Sequence, residues 1–401
     1  MKSLRVSLFL AGRTLARSNY GIAVATTVMM LLIYVSLLFL PSLIQGAINR
    51  VNAQLIDTVT SNIVITPQGK GTSISNASGY LAQIRRTAGV ADATAVFHAG
   101  TQVSHGTDSG SWTVNAIDPG SFGAVFSTPG NLVEGHALAP DSDQVLLGIG
   151  IAGAGQTQVR GYRASLKTVH AGDKVTITLS NGRTATLTVA GIYDNQFPQS
   201  DDNAYITANE AARLLPASAN RATAVYVRTT TGTSESQAVS RLSGLRGGMK
   251  FLTSADLGTT VADQTATFRL ISNLLKGVSL LMAAVTIFTI TYIDLVNKRR
   301  QIGIERAIGI RSSPIVASYV LKAWAYALAG VGTGFLLFRF AVSPLVQAHP
   351  FHFPNGPVTL ATTWHEMGLD LAILMAVATL AAVAPALRSV QMRILDAIWG
   401  S

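Results

Sequence analysis

Residues 20–44 run without a single charged side chain. An apolar segment of that length suits one transmembrane helix, which needs about 20 residues. It follows residues 1–19, which carry Lys2, Arg5, Arg13 and Arg17 and no acid. The run is longer than the apolar region of a signal peptide, and no small-x-small cleavage pattern ends it. Basic residues stay on the cytoplasmic side, so the N-terminal segment is expected in the cytoplasm.

Three more apolar runs lie in the last third of the chain, at 269–296, 315–342 and 367–387. Basic residues flank them at 297–314 and again at Arg388 and Arg393, in a tail over 388–401. That pattern predicts two more cytoplasmic pieces, with a short outer loop at 343–366. Only 12% of residues are charged, against about 25% in soluble domains, which fits a chain that spends much of its length in lipid. The net charge of +10 is accounted for largely by these flanks, and no basic helix interleaved with aromatics argues for nucleic acid.

Residues 45–268 are different in character. Thr, Ser, Gly and Asn dominate, and nothing there could span a membrane. The alternation at 174–179 and 184–192 about the turn Ser180-Asn181-Gly182-Arg183 predicts a hairpin. Thr207 with Glu210 three residues on predicts a capped helix over 207–215. The expectation is an α-helical membrane protein with four transmembrane helices plus an α+β extracytoplasmic domain between the first and second, with a β-rich insert over about 132–195.

Several chemistries find no support. Cysteine is absent, which excludes a disulfide framework, a thiolate metal site and a cysteine nucleophile. No Gly-x-x-x-x-Gly-Lys-Ser/Thr motif occurs, so no P-loop for ATP is expected here. No Gly-x-Ser-x-Gly or His-Glu-x-x-His occurs either, and no metal site is expected: His349 and His352 stand in a Pro-rich stretch that forces no common face. Within the apolar runs, Gly330 and Gly334 form a small-xxx-small pair for close helix packing, within the chain or against a second copy. Lys322 reads first as a side chain that snorkels to the surface, with Asp294 as its candidate partner if it pairs instead.

The stretch 297–314 joins the second and third runs. Lys298, Arg299 and Arg300 precede Ile302, Ile304, Ala307, Ile308 and Ile310, a stripe at roughly helical spacing broken by Gly303 and Gly309. It reads either as a solvated loop that only sets topology or as an amphipathic helix offered to a soluble partner.

The order of residues here resembles the coupling motif of the MacB-like/FtsX-type permeases of ABC transporters. In that motif, basic residues precede Glu/Gln-Ile-Gly-x-x-(Lys/Arg)-Ala-hydrophobic-Gly. Gln301, Ile302, Gly303, Arg306, Ala307 and Gly309 match it, with Gln301 where an acid is common. Pro385-Ala386-Leu387-Arg388 with Ile394 to Ile398, and Gly172-Asp173 with Val189 to Ile192, are similar to further family patterns. Lys322 departs from relatives that often carry an acid there. The resemblance implies a permease subunit driven by a separate cytoplasmic ABC ATPase, with ATP and Mg bound by that partner and no cofactor held by this chain. The ATPase-coupling residues would be Lys298, Arg299, Arg300, Gln301, Ile302, Gly303, Glu305, Arg306, Ala307 and Gly309. A second permease chain, identical or different, and membrane lipid would be the other partners. The substrate would be a lipid, lipoprotein, peptide or drug-like molecule. The alternative is a mechanotransmitting protein that regulates an extracytoplasmic enzyme and transports nothing.

Overall fold

The computed structural model describes residues 20–69, 72–153, 165–353 and 356–391. The basic segment 1–19, Arg393 and the pattern at 394–398 lie outside the described residues. The first element is α1 (Tyr20–Leu55), which widens into a π-helical turn over Ile56–Thr60. Then come β1 (Ile63–Pro67), β2 (Ile74–Ser75), α2 (Ala77–Arg85), β3 (Val90–His105), β4 (Asp108–Ile117) and α3 (Pro119–Val125). They are followed by β5 (Leu132–Gly135), β6 (Gln144–Gly148), α4 (Ile149–Ala152), β7 (Lys174–Leu179) and β8 (Thr184–Tyr193). Next are α5 (Pro198–Asp201), β9 (Asn203–Thr207), α6 (Ala208–Leu214), β10 (Arg221–Ala222), β11 (Ala224–Thr229), α7 (Glu235–Leu242) and β12 (Met249–Thr253). The chain continues with α8 (Ser254–Asn297), α9 (Arg299–Ala307), α10 (Ser312–Leu337) and α11 (Ser343–Ala348). The short strands β13 (Phe351–Phe353) and β14 (Gly356–Val358) precede α12 (Trp364–Gln391). These elements form two units, one of residues up to 48, 265–351 and 357 onward, the other of 49–264 with 352–356.

The first unit is a helical bundle. Four helices are long and apolar enough to cross a membrane, over Tyr20–Thr60, Ala266–Asn297, Ser312–Ala348 and Trp364–Ser389. Their bounds run outside those read from composition, because helix formation continues past the last apolar residue. The loop expected over 343–366 holds α11 and the two short strands. The bundle core takes Met30, Tyr34 and Leu37 from α1, Ala283 and Ile287 from α8, Ala323 and Ala327 from α10, and Leu374, Ala378 and Ala382 from α12. Small residues on α10 and α12 let backbones approach closely, where packing rather than water exclusion holds helices together.

Gly330 and Gly334 face α1. A Cβ at Gly330 would overlap that of Met30 and lie 3.0 Å from the Met30 backbone carbon, while one at Gly334 would lie 3.1 Å from the Tyr34 ring. Farther along α1, a Cβ at Gly46 would overlap the Thr359 carbonyl oxygen, and Ala361 N–H donates to Ser42 O at 3.0 Å. The segment before α12 is thus seated directly on the backbone of α1.

The second unit is α+β. One four-stranded part, in the order β12-β1-β11-β3, buries Ile63, Ile65, Val225 and Val227 with Ile84 of α2 and Leu242 of α7. In the other part β3, β4, β9, β6, β8 and β7 pair in a ring, because β7 bonds to both β8 and β3. Val103, Val114, Val145, Leu147, Val175, Ile177, Leu187, Val189 and Ile206 fill its interior. β3 belongs to both parts. It pairs with β11 up to Val96 and with β4 from Phe97 onward. The β-rich stretch over about 132–195 holds β5 to β8. Half of the ring comes from residues outside that range.

The β7–β8 hairpin turns where its sequence predicts. Gly182 takes φ +80°, and Leu179 N–H bonds to Arg183 O at 2.9 Å, a type I turn closed by a glycine in the left-handed region. At α6, Thr207 Oγ1 accepts from Glu210 N–H at 3.2 Å, but Glu210 turns its carboxylate to Arg213 at 3.1 Å.

Candidate functional site

The helix α9 spans Arg299–Ala307, with Lys298 as its N-cap residue. Its end is built by backbone geometry. Gly309 has φ +92°, its N–H bonds to Arg306 O at 3.0 Å, and Ile310 N–H bonds to Glu305 O at 3.1 Å. This crossed pair is a Schellman termination, which requires a residue that tolerates positive φ. The last glycine of the Ala307-Ile308-Gly309 run thus stops α9 and aims the chain into α10.

The apolar positions of α9 do not form the single stripe that spacing suggests. Ile302 is buried at 4% exposure in a cluster with Leu295, Ile315, Tyr319 and Ala386, and Ile310 packs against the same cluster. Ile304 and Ile308 point the other way, 49% and 74% exposed. Positions 302 and 304 lie about 200° apart on a helix, so they cannot share a face. Gly303 is buried beside Ile302, whereas Arg299, Arg300, Gln301 and Ala307 are exposed and Glu305 and Arg306 half-buried. Gln301 Nε2 donates to Glu305 Oε1 at 2.9 Å across one turn. The outward face is therefore a pair of isoleucines bordered by arginines, on a helix fastened from beneath by Ile302.

Asp294, on the last turn of α8, ties this helix to the bundle. Its Oδ2 accepts from Lys322 Nζ at 2.8 Å, and Lys298 Nζ stands 3.5 Å from its Oδ1. Lys322 does not snorkel. It is 5% exposed, because Asp294 offers a carboxylate and the Tyr326 ring lies 5.8 Å away. A second interhelical pair joins α8 to α12, with Lys276 Nζ 3.0 Å from Asp370 Oδ1. Opposite charges inside two apolar runs were its only sequence signal. Lys276 and Asp294 are eighteen residues apart on α8, about 27 Å at 1.5 Å per residue, close to the thickness of a bilayer's hydrocarbon core.

Comparison with known proteins decides the family. The MacB-like periplasmic core domain family matches residues 22–245, more than half of the chain, and the FtsX-like permease C-terminal family matches 273–394. The chain belongs to the MacB/FtsX-type ABC permeases. It is a membrane protein of this family, with an extracytoplasmic α+β domain between its first two membrane helices. It is 32% identical over 127 residues to the macrolide export ATP-binding/permease protein MacB of Hahella chejuensis, covering 30% of this chain. The match spans about a fifth (19%) of that relative's length. The periplasmic region of MacB from Actinobacillus actinomycetemcomitans is 14% identical with a TM-score of 0.38, covering 51% of this chain and 95% of its own. The extracellular domain of the ABC-type transporter YknZ from Gram-positive bacteria is 11% identical with a TM-score of 0.36, covering 48% and 100%.

Proposed function

We propose that this permease is driven by an ATP-hydrolysing partner that grips α9 from the cytoplasm. The observation that supports this reading is the outward face of α9, where Ile304 and Ile308 stand exposed between Arg299, Arg300 and Arg311 on a helix pinned by Ile302. Apolar anchors with an arginine border are the composition of a protein-docking surface. ATP and Mg belong to the partner, since these 401 residues contain no P-loop, and this chain contributes no catalysis of its own.

In this reading the chain ends are cytoplasmic and two permease chains, alike or different, each engage one ATPase. A pull on α9 passes to α8 and α10 through Asp294, Lys322 and the Ile302 cluster. Buried contacts of this kind transmit displacement because packed cores deform little. The α+β domain then changes shape outside, where a lipid, lipoprotein, peptide or drug-like molecule is extracted or expelled.

The test is purification from native membranes in mild detergent. An ATP-hydrolysing subunit should accompany the wild type and be lost from Arg299→Glu/Arg300→Glu, with a smaller loss for Glu305→Lys. Unchanged co-purification and unchanged ATP hydrolysis in both variants would contradict the reading.

A further inference from the structure

We propose that His98 is a proton-binding site of the α+β domain, and that a proton taken up there from the outer medium parts the four-stranded part from the strand ring. The inference does not rest on the ATPase reading. His98 lies where β3 changes partners, just past the switch from β11 at Val96 to β4 at Phe97. Its imidazole reaches both parts. Nδ1 lies 2.6 Å from Asn115 Oδ1 on β4, and Nε2 lies 3.0 Å from the Tyr226 hydroxyl on β11.

A chain of amides fixes which nitrogen carries the hydrogen. The Gln199 and Ser200 carbonyls can only accept, and they hold the Asn203 amide nitrogen at 2.6 and 3.2 Å. Asn203 Oδ1 therefore faces Asn115 and accepts from its Nδ2 at 3.1 Å. That leaves Asn115 Oδ1 turned to His98, where it too can only accept. Nδ1 thus donates, and Nε2 accepts from Tyr226. The neutral imidazole satisfies every partner. A second proton, on Nε2, would meet the hydroxyl hydrogen of Tyr226, and that hydroxyl would have to turn away.

Nothing beside the imidazole balances the new charge. A cavity of about 60 Å³ adjoins His98, lined by Asn115, Asn203, Tyr205, Tyr226 and other uncharged side chains. The charged groups on the elements packed around it are engaged elsewhere: Asp92 of β3 with Arg85, Asp108 of β4 with Lys167, and Asp57 of the π-helical turn with Arg228 of β11. Burial pushes the Tyr226 hydroxyl up to about 12 and raises that of Tyr205, so His98 is the group lining this cavity that titrates near neutrality. A half-buried imidazolium without a counter-charge draws in water, and the cavity gives water a route. Tyr226 would then leave its edge contact with Phe126, now 5.2 Å between centroids. The next bonds across the joint are His98 N–H to Thr223 Oγ1 and Thr223 N–H to Val96 O, both 2.9 Å. Opening therefore exposes 223–227 first.

Hydrogen exchange of the full chain in detergent, scaled at each pH to an unstructured peptide, tests this. Protection over 223–227 should fall as pH drops below about 6.5, while the membrane helices keep theirs. His98→Gln can still donate to Asn115 and accept from Tyr226 but takes up no proton, and it should abolish the fall. Tyr226→Phe removes the donor that only the neutral imidazole accepts. The fall should then begin at higher pH, by up to about one unit, the worth of one hydrogen bond. A merely structural role for Tyr226 would instead lower protection alike at every pH. If His98→Gln does not fold, Tyr226→Phe carries the test. Protection over 223–227 that ignores pH in the wild type, the same response in His98→Gln, or an unshifted onset in Tyr226→Phe would each overturn the proposal.

Discussion

Lys322 Nζ lies 2.8 Å from Asp294 Oδ2, a buried ion pair between two membrane helices one turn from the helix α9. Separating such a pair leaves a charge without compensation, whereas replacing both partners removes the problem. Asp294→Asn should therefore cost about 3–5 kcal/mol of stability, and Asp294→Leu/Lys322→Leu distinctly less. Thermal unfolding of the purified protein in detergent checks this. Equal losses in the single and double variants would show that the pair carries no coupling.

The three glycines of α10 should rank by what stands opposite them. Gly330→Ala drives a methyl into the Met30 backbone, Gly334→Ala presses on the Tyr34 ring at 3.1 Å, and a Cβ at Gly332 meets nothing within 4 Å. The expected cost is about 1–3 kcal/mol for Gly330→Ala, less for Gly334→Ala, and none beyond measurement error for Gly332→Ala. Folded yield and thermal midpoint give the order, and a different order would mean that α1 and α10 do not pack at these positions.

At the end of α9, Gly309→Ala should cost about 1–2 kcal/mol, because its φ of +92° is strained for any residue with a Cβ. The loss should fall on α9 itself, read as faster hydrogen exchange over 299–310. Exchange unchanged from wild type would contradict the Schellman termination.

In the α+β domain, burial lowers the pKa of His98 despite its bond to Asn115. Nδ1–H donates to Asn115 Oδ1 at 2.6 Å, and Nε2 accepts from the Tyr226 hydroxyl at 3.0 Å, so the neutral ring is the one that fits. The sign follows from the lowered value: the unfolded chain binds the proton more readily. Stability contributed by His98 is thus present above about pH 6.5 and is lost as pH falls below it, until the folded-state value is passed. The wild type should lose stability as pH falls below about 6.5, by an amount that His98→Gln abolishes. An unaltered pH profile in that variant would place the dependence elsewhere.

Much of the helical unit was legible in the chain because length and lack of charge are nearly sufficient to specify a membrane helix. Asp294 could be named as a candidate partner for Lys322, but that Lys322 pairs rather than snorkels could not be read, since it depends on how α8 and α10 are rotated about their axes, which no local pattern states. The pairing of Lys276 with Asp370 depends on helix rotation in the same way. On α9 the run of isoleucines was visible, but Ile302 and Ile304 differ in fate because the bundle covers one side only. The β7–β8 hairpin was readable from its turn, a local signal, whereas the ring it joins was not. Its closure pairs Thr101–Ser104 of β3 with residues of β7 more than 70 positions away.

The docking face on α9 is the central claim, and site-specific photocrosslinking in living cells tests it most directly. A crosslinking residue placed at Ile304 or Ile308 should yield an adduct with an ATP-binding protein, and one at Ile302 should yield none. Adducts from Ile302 equal to those from Ile304, or an absence of any ATP-binding protein from Ile304 and Ile308, would contradict it.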